Sequence, residues 1–231
     1  MNNYSNMITF SKEKAKIVGV DFGCKTFLTF SDETTINLPK KLFDIGKYID
    51  YLNVMKSKKQ KGSGRYKKLQ LKIAKLYDKI SRIREDFLHK ISKYILQKYE
   101  TVVFEALDIE NLVYNNFSGI NRKIYNSGFG TLIRYLLYKV ENTGKQIVQV
   151  NPAYTSQTCW KCYNIEKKEL HEREHICKKC GERIDRDLNA ARVIRDVWIK
   201  KIDLGKLKAR KELSKGEKNI PIENPSSNCV W

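Results

Sequence analysis

Cys159 and Cys162 form one C-x-x-C pair, and Cys177 and Cys180 form a second after fourteen intervening residues. Each pair sets two thiolates on a tight knuckle, and four thiolates close a tetrahedron around one Zn²⁺ at about 2.3 Å. Such a site supplies folding energy to a segment too short to bury a core of its own. A redox C-x-x-C needs one pair, not two, so the spacing reads as a zinc ribbon. His171 and His175 lie between the pairs and are chemically able to ligate, but the thiolate set is already complete. A closed four-thiolate set leaves no open position, so this metal is expected to be structural. Cys24 and Cys229 stand alone. Disulfides are not expected in a cytosolic chain of this kind.

A ribbon occupies only a short part of 231 residues, and the remainder is long enough for one sizeable core. No apolar run reaches the eighteen residues that a membrane helix needs. The first residues, MNNYSNMITF, lack the apolar stretch of a secretory signal, which places the chain in the cytoplasm. The formal net charge is +19. A surplus of that size points to a polyanionic partner, and nucleic acid fits better than a membrane surface because no basic amphipathic helix sits at either terminus.

Hydrophobic periodicity divides the chain. A short apolar patch at Met7–Phe10 is either a leading strand or the remnant of a preceding domain. Ile17, Val18 and Val20 form a strand that runs into Asp21, and Thr26–Phe30 and Thr34–Leu38 continue it as an antiparallel meander closed by Pro39. Leu42, Ile45, Ile49, Leu52 and Met55 follow helical spacing. Leu69, Ile73, Leu76, Ile80, Ile83 and Phe87 form a second, longer stripe, as in a helical hairpin. TVVFEAL reads as a buried strand ending in Glu105. Residues 111–127 read as loop, 129–141 as helix, 146–150 as strand and 188–202 as a last helix. The end of the chain, from about 208, is charged and aperiodic and reads as a mobile tail.

Three acids stand in comparable places: Asp21 on the first strand, Glu105 at the end of a later apolar strand, and Asp187 just before the last helix. Brought together, three carboxylates repel unless a divalent cation neutralises them. Oxygen-only ligands favour Mg²⁺ or Mn²⁺. Two such ions, about 4 Å apart, support phosphodiester hydrolysis. Each acid alone also has a structural reading: a turn residue for Asp21, a solvated strand end for Glu105, a helix cap for Asp187. Their order along the chain is that of an RNase H-type nuclease.

The stretch 56–68 is basic and carries no acid. Lys56, Lys58, Lys59, Lys61, Arg65, Lys67 and Lys68 accompany Gly62 and Gly64, which mark a loop whose backbone can approach phosphates. The plain alternative is a solvated lysine loop. Tyr66, Tyr154 and Trp160 are candidates for stacking on bases, or else for packing within their own domain.

GVDFG, VVFEALDIENL, NPAYTSQTCWKC, CKKCG and DRDLNAARVI, taken together, resemble the TnpB (OrfB) proteins of small insertion sequences and their relatives, the type V CRISPR effectors. The likeness covers about residues 15 to 200. It implies an α/β fold of RNase H-like (RuvC) type, a mixed sheet with a helical-hairpin insertion and an inserted zinc ribbon. It implies Asp21, Glu105 and Asp187 as the catalytic triad, Asp187 rather than Asp185 because it directly precedes the Leu-Asn-Ala-Ala run. The implied function is metal-dependent DNA cleavage guided by RNA, with DNA and a guide RNA as partners. The family's N-terminal domain is not recognisable: either the chain is a truncated piece, or a separate N-terminal domain or protein supplies it, or the protein is a reduced one. A nucleic-acid-binding regulator without cleavage and a strand-transferring transposase are the competing readings. Two departures stand out: Tyr163 follows the first knuckle where the family has glycine, and Ala106 follows Glu105 where an acid is common. The expected division is a leader over 1–15, RuvC parts over 16–39, 100–152 and 184–207, a helical insertion over 40–99, a ribbon over 153–183 and a tail over 208–231.

Overall fold

The computed structural model describes residues 8–9, 16–23, 26–106, 128–151, 154–166, 172–199 and 202–203. The expected loop at 111–127, the tail from 208, His171, Cys24 and Cys229 lie outside them.

The chain makes a mixed α/β arrangement with four helices among the described residues. Its larger sheet contains β1 (Ile8–Thr9), β2 (Ile17–Phe22), β3 (Leu28–Phe30), β4 (Thr35–Ile36), β5 (Thr101–Glu105) and β6 (Gln146–Val150), in the order β1-β4-β3-β2-β5-β6. β2, β3 and β4 form the expected antiparallel meander, and β1 extends it at the edge as a two-residue strand. β5 lies parallel to β2, and β6 parallel to β5. Parallel neighbours need crossovers. The first is the excursion through α1 (Lys40–Ser57) and α2 (Gly64–Lys98), and the second contains α3 (Phe129–Val140).

Side chains alternate across a strand, and here the alternation assigns each face a helix. Val18 and Val20 on β2 and Val102 and Phe104 on β5 face a core shared with Phe87, Leu88, Ile91 and Ile95 of α2 and Leu132 and Leu136 of α3. Val103 and Val150 face the other way and meet Ile194 of α4 (Arg186–Trp198). The sheet is therefore covered on both sides. Gly19 lets α4 approach: a Cβ there would collide with the Ala191 carbonyl and lie 2.6 Å from the Arg195 nitrogen.

The long apolar stripe has two destinations. Ile73 and Ile80 of α2 pack on Leu42, Ile49 and Leu52 of α1 as a hairpin, and from Phe87 onward the same helix enters the main core. The basic stretch is less of a loop than its glycines suggest. Lys56 lies in the last turn of α1, Lys58, Lys59 and Lys61 form the connection, and Arg65, Lys67 and Lys68 belong to α2. Ser63 starts that helix early, its hydroxyl accepting from the Tyr66 N–H at 3.2 Å, and Gly62 takes the left-handed turn with φ +85°. Lys58, Lys61, Arg65, Lys67 and Lys68 are exposed. Among the described residues no helix is long and apolar enough to cross a membrane.

Candidate metal and carboxylate sites

The four cysteines converge. Cys159 Sγ lies 3.7 Å from Cys180 Sγ, Cys162 Sγ lies 3.5 Å from Cys177 Sγ, and all four sulfurs fall within 4.8 Å of one another. None is in a disulfide. A tetrahedral ion with metal–sulfur bonds of about 2.3 Å spaces its sulfurs by roughly 3.8 Å, so the donor set fits a zinc site. Burial pushes the Cys177 thiol up, but the N–H groups of Cys180 and Lys179 and the neighbouring thiols outweigh it and hold it at about 7. Backbone donors of this kind favour the thiolate that a metal needs; at Cys159 and Cys162 burial outweighs them and pushes the thiols up. β7 (Glu174–Ile176) and β8 (Arg183–Asp185) pair as a short hairpin that carries the second knuckle. His175 lies buried on β7, outside the four-sulfur cluster.

The two knuckles are built alike. The Tyr163 N–H donates to the Cys159 carbonyl and the Gly181 N–H to the Cys177 carbonyl, both at 2.9 Å. Gly181 has φ +73° and Tyr163 φ +56°. Tyr163 thus occupies the left-handed position that glycine fills in the second knuckle, at a cost of about 1 kcal/mol or more. Its ring packs near Val193 and Ile202 of the ribbon–α4 cluster, and its hydroxyl donates to Asp196 Oδ2 at 3.2 Å.

α4 clamps the ribbon. Asn189 is fully buried; its Nδ2 donates to the Thr158 carbonyl at 2.7 Å, and its Oδ1 accepts from the Trp160 N–H at 3.1 Å. The Arg192 guanidinium sits 4.4 Å above the Trp160 ring and reaches Glu33 at 2.8 Å. Trp160 is thereby engaged within the molecule rather than presented to a base.

The three acids meet on the α4 side of the sheet. Asp21 shares the face of Gly19, and Glu105 shares the face of Val103 by the same alternation. The two strands are parallel, with Val20 beside Phe104, so one further step sets Asp21 beside Glu105. Asp187 enters from the first turn of α4. A Cβ placed on Gly23, just past β2, would stand 3.5 Å from Asp187 Oδ2. Asp187 is not the cap of α4: Asp185 is, its Oδ1 accepting from the Asp187 and Leu188 N–H groups at 2.9 and 3.1 Å. That leaves the Asp187 carboxylate to the cluster, with Arg186 Nε 3.6 Å from its Oδ1.

Burial holds the Asp21 carboxyl well above its ordinary value, and the charges of Asp187 and Glu105 push it further, against an opposing pull from Arg186. Burial raises Glu105 as well, countered by a hydrogen bond from Thr155. That bond is short: the Thr155 hydroxyl donates to Glu105 Oε1 at 2.6 Å, from a side chain only 2% exposed. Thr155 lies in the turn 154–157 that leads into the first knuckle. The three carboxylates do not close as tightly as the thiols, which are the group among the described residues with ligand atoms all within 4.8 Å. Neither Thr155 nor Asn189 was singled out by sequence reasoning, because each acts on a partner at least 29 residues away.

A family model named OrfB_IS605, described as a probable transposase, matches residues 6–116, and a model of the Cas12f1-like TNB domain matches residues 129–194. InsQ of Escherichia coli strain K12, provisionally named an RNA-guided DNA endonuclease, is 31% identical over 194 residues, 78% of this chain and 48% of InsQ. The CRISPR-associated endodeoxyribonuclease Cas12f1 of Sulfoacidibacillus thermotolerans is 32% identical over 142 residues, 61% of this chain and 33% of Cas12f1. The cryo-EM structure of a CRISPR-Cas12f ternary complex shares the fold, with a TM-score of 0.58 and 22% identity, over 81% of this chain and 40% of that one. The chain spans about half the length, or less, of the curated relatives it matches. On two neighbouring family models and relatives of which several are about a third identical, this chain belongs to the TnpB (OrfB) family.

Proposed function

We propose that this chain carries the nuclease core of a TnpB-type, RNA-guided DNA endonuclease, in an RNase H-like (RuvC) fold with an inserted zinc ribbon. The observation that carries this reading is the meeting of Asp21, Glu105 and Asp187 from β2, β5 and α4 on one face of the sheet, with Asp21 held against ionisation first by burial and then by the charges of the other two. Three oxygen donors that repel one another suit Mg²⁺ or Mn²⁺. When bound, such ions activate water and neutralise the leaving oxygen, so hydrolysis by attacking water with a 3′-hydroxyl leaving is the expected chemistry. The chain's own part is to hold three carboxylates in fixed directions. Thr155 fixes one Glu105 oxygen. Asp185 takes the capping role and leaves Asp187 to the centre. α4, seated on Gly19, sets the height of Asp187 above the sheet. Zn²⁺ in the four-thiolate set is structural, and its ribbon stands beside the carboxylates through Asn189. DNA and a guide RNA are the proposed partners. They are the classes in the provisional name of InsQ, RNA-guided DNA endonuclease, and in the solved Cas12f1–sgRNA–target DNA complex.

The test is cleavage of labelled single- and double-stranded DNA with Mg²⁺ or Mn²⁺, wild type beside Asp187→Ala, with and without guide RNA. The expected result is divalent-dependent cleavage that falls by at least about a hundredfold in the variant. Full cleavage by Asp187→Ala would remove that residue from the centre. Intact nucleic-acid binding without cleavage under any condition would favour a regulator.

A further inference from the structure

A cavity of about 640 Å³ opens between the second half of α2, the last turn of α3 and the turn into β6. It lies away from the carboxylates. Lys145, at its edge, donates to the Tyr99 carbonyl at 3.0 Å, just ahead of β5, whereas Glu105 ends that strand. Six extended residue steps from Tyr99 to Glu105, at about 3.3 Å each, separate the two by roughly 20 Å.

Four lysines, Lys90, Lys93, Lys139 and Lys145, line this cavity against a single carboxylate, Asp86. Asp86 is already engaged with Lys90, at 2.8 Å, on the exposed rim. Lys139 is half-buried, its ammonium donating to the His89 carbonyl at 2.9 Å and to Ser92 Oγ at 2.7 Å. Both acceptors are neutral. Burial and the nearby Lys93 push its pKa down, so the fold holds a cation here without a carboxylate to offset it. Packing gives no reason to gather four ammonium groups around a hollow, and like charges there weaken the folded state. An anion seated among them reverses the sign of that contribution.

We propose that this cavity is a phosphate-backbone site for a nucleic-acid strand, separate from the carboxylate centre. The lining selects a strand over a small nucleotide. Pockets for small ligands bury most of the ligand's surface, whereas this hollow is open to solvent and carries four lysines. Its one ring, His89, already stacks on Tyr135 with centroids 4.0 Å apart, so no aromatic platform is offered to a base. Recognition by charge alone reads phosphates and not sequence.

The proposal rests on the reading that the chain binds nucleic acid, and the experiment separates the two. A labelled single-stranded oligonucleotide is titrated by anisotropy across a salt series, with the full chain, Lys90→Gln/Lys93→Gln and Lys90→Arg/Lys93→Arg. Neither position holds the fold: Lys93 is exposed and Lys90 makes an exposed pair. Two lost contacts are expected to flatten the slope of log K against log salt by roughly 1.4 in the Gln variant, with the slope kept in the Arg variant. In wild type, the oligonucleotide is expected to shield Lys93 and Lys139 from acylation, read by mass spectrometry. An unchanged slope without shielding overturns the site while leaving nucleic-acid binding intact. Shielding by pyrophosphate but not by the oligonucleotide overturns the strand as its occupant. Failure of wild type to bind at low salt overturns the nucleic-acid reading and this site with it.

Discussion

Glu105 is held by a hydroxyl that reaches it from fifty residues away. Partners that orient a metal-binding carboxylate commonly alter metal affinity or activity by 10- to 100-fold when removed. Thr155→Val keeps the shape and loses the donor, so Mn²⁺ binding, read by calorimetry, is expected to weaken by about that factor, and Thr155→Ser is expected to restore it. A valine variant with wild-type affinity would show that the 2.6 Å bond serves folding alone. Asp21 gives a prediction of opposite sign for stability. Its folded value lies above the ordinary 3.8, so the folded form binds its proton more readily than the unfolded chain does. Metal-free stability therefore falls as pH rises through the window above that ordinary value. Asp21→Asn removes the repelled charge. The metal-free variant is expected to melt roughly 2–4 °C higher at neutral pH, for a gain on the order of 1 kcal/mol, while losing the stabilisation that Mn²⁺ gives wild type. A variant that melts lower would mean the Asp21 charge is satisfied by Arg186 instead. Tyr163 is the residue whose oddity was legible before the fold: it stands where the family has glycine, and its φ of +56° is the geometry that preference reflects.

α4 joins the two candidate sites. Its first turn supplies Asp187, its Asn189 grips the backbone of the first knuckle, and its Asp196 receives the Tyr163 hydroxyl. Zinc removal is therefore expected to act beyond the ribbon. Protein purified without chelator should hold about one zinc per chain. After chelation, hydrogen exchange is expected to rise first over 154–185 and then in the first turns of α4, where Asn189 loses its anchor. Exchange confined to the ribbon would separate it from the carboxylate centre. At this scale the sequence was a good guide wherever periodicity was strong. The meander, the two stripes of α1 and α2, and β6 follow from their apolar spacing. Boundaries were harder. α2 begins at Gly64 because Ser63 caps it, a signal masked by two glycines and the lysine run. α4 begins two residues earlier than its apolar pattern, because Asp185 caps it.

Across the whole molecule, the positions of the acids were legible and their neighbours were not. Asp21 and Glu105 end apolar strands, which one sequence displays. That both strands are parallel and adjacent, with α4 lying on the same face, depends on pairings between residues more than eighty positions apart. The lysine cavity was invisible for the same reason: Lys90 and Lys145 belong to different elements, 55 positions apart in the sequence.

The order in which the chain supplies its three acids has a consequence for its synthesis. Asp21 and Glu105 are made before residues 186–198, and the face of β2 and β5 that carries them is the one α4 covers. Before that segment is made, the chain holds two of the three carboxylates and lacks the helix that covers their face. The segment that brings Asp187 is the same one that grips the first knuckle through Asn189, so neither candidate site is complete until that one helix has been made.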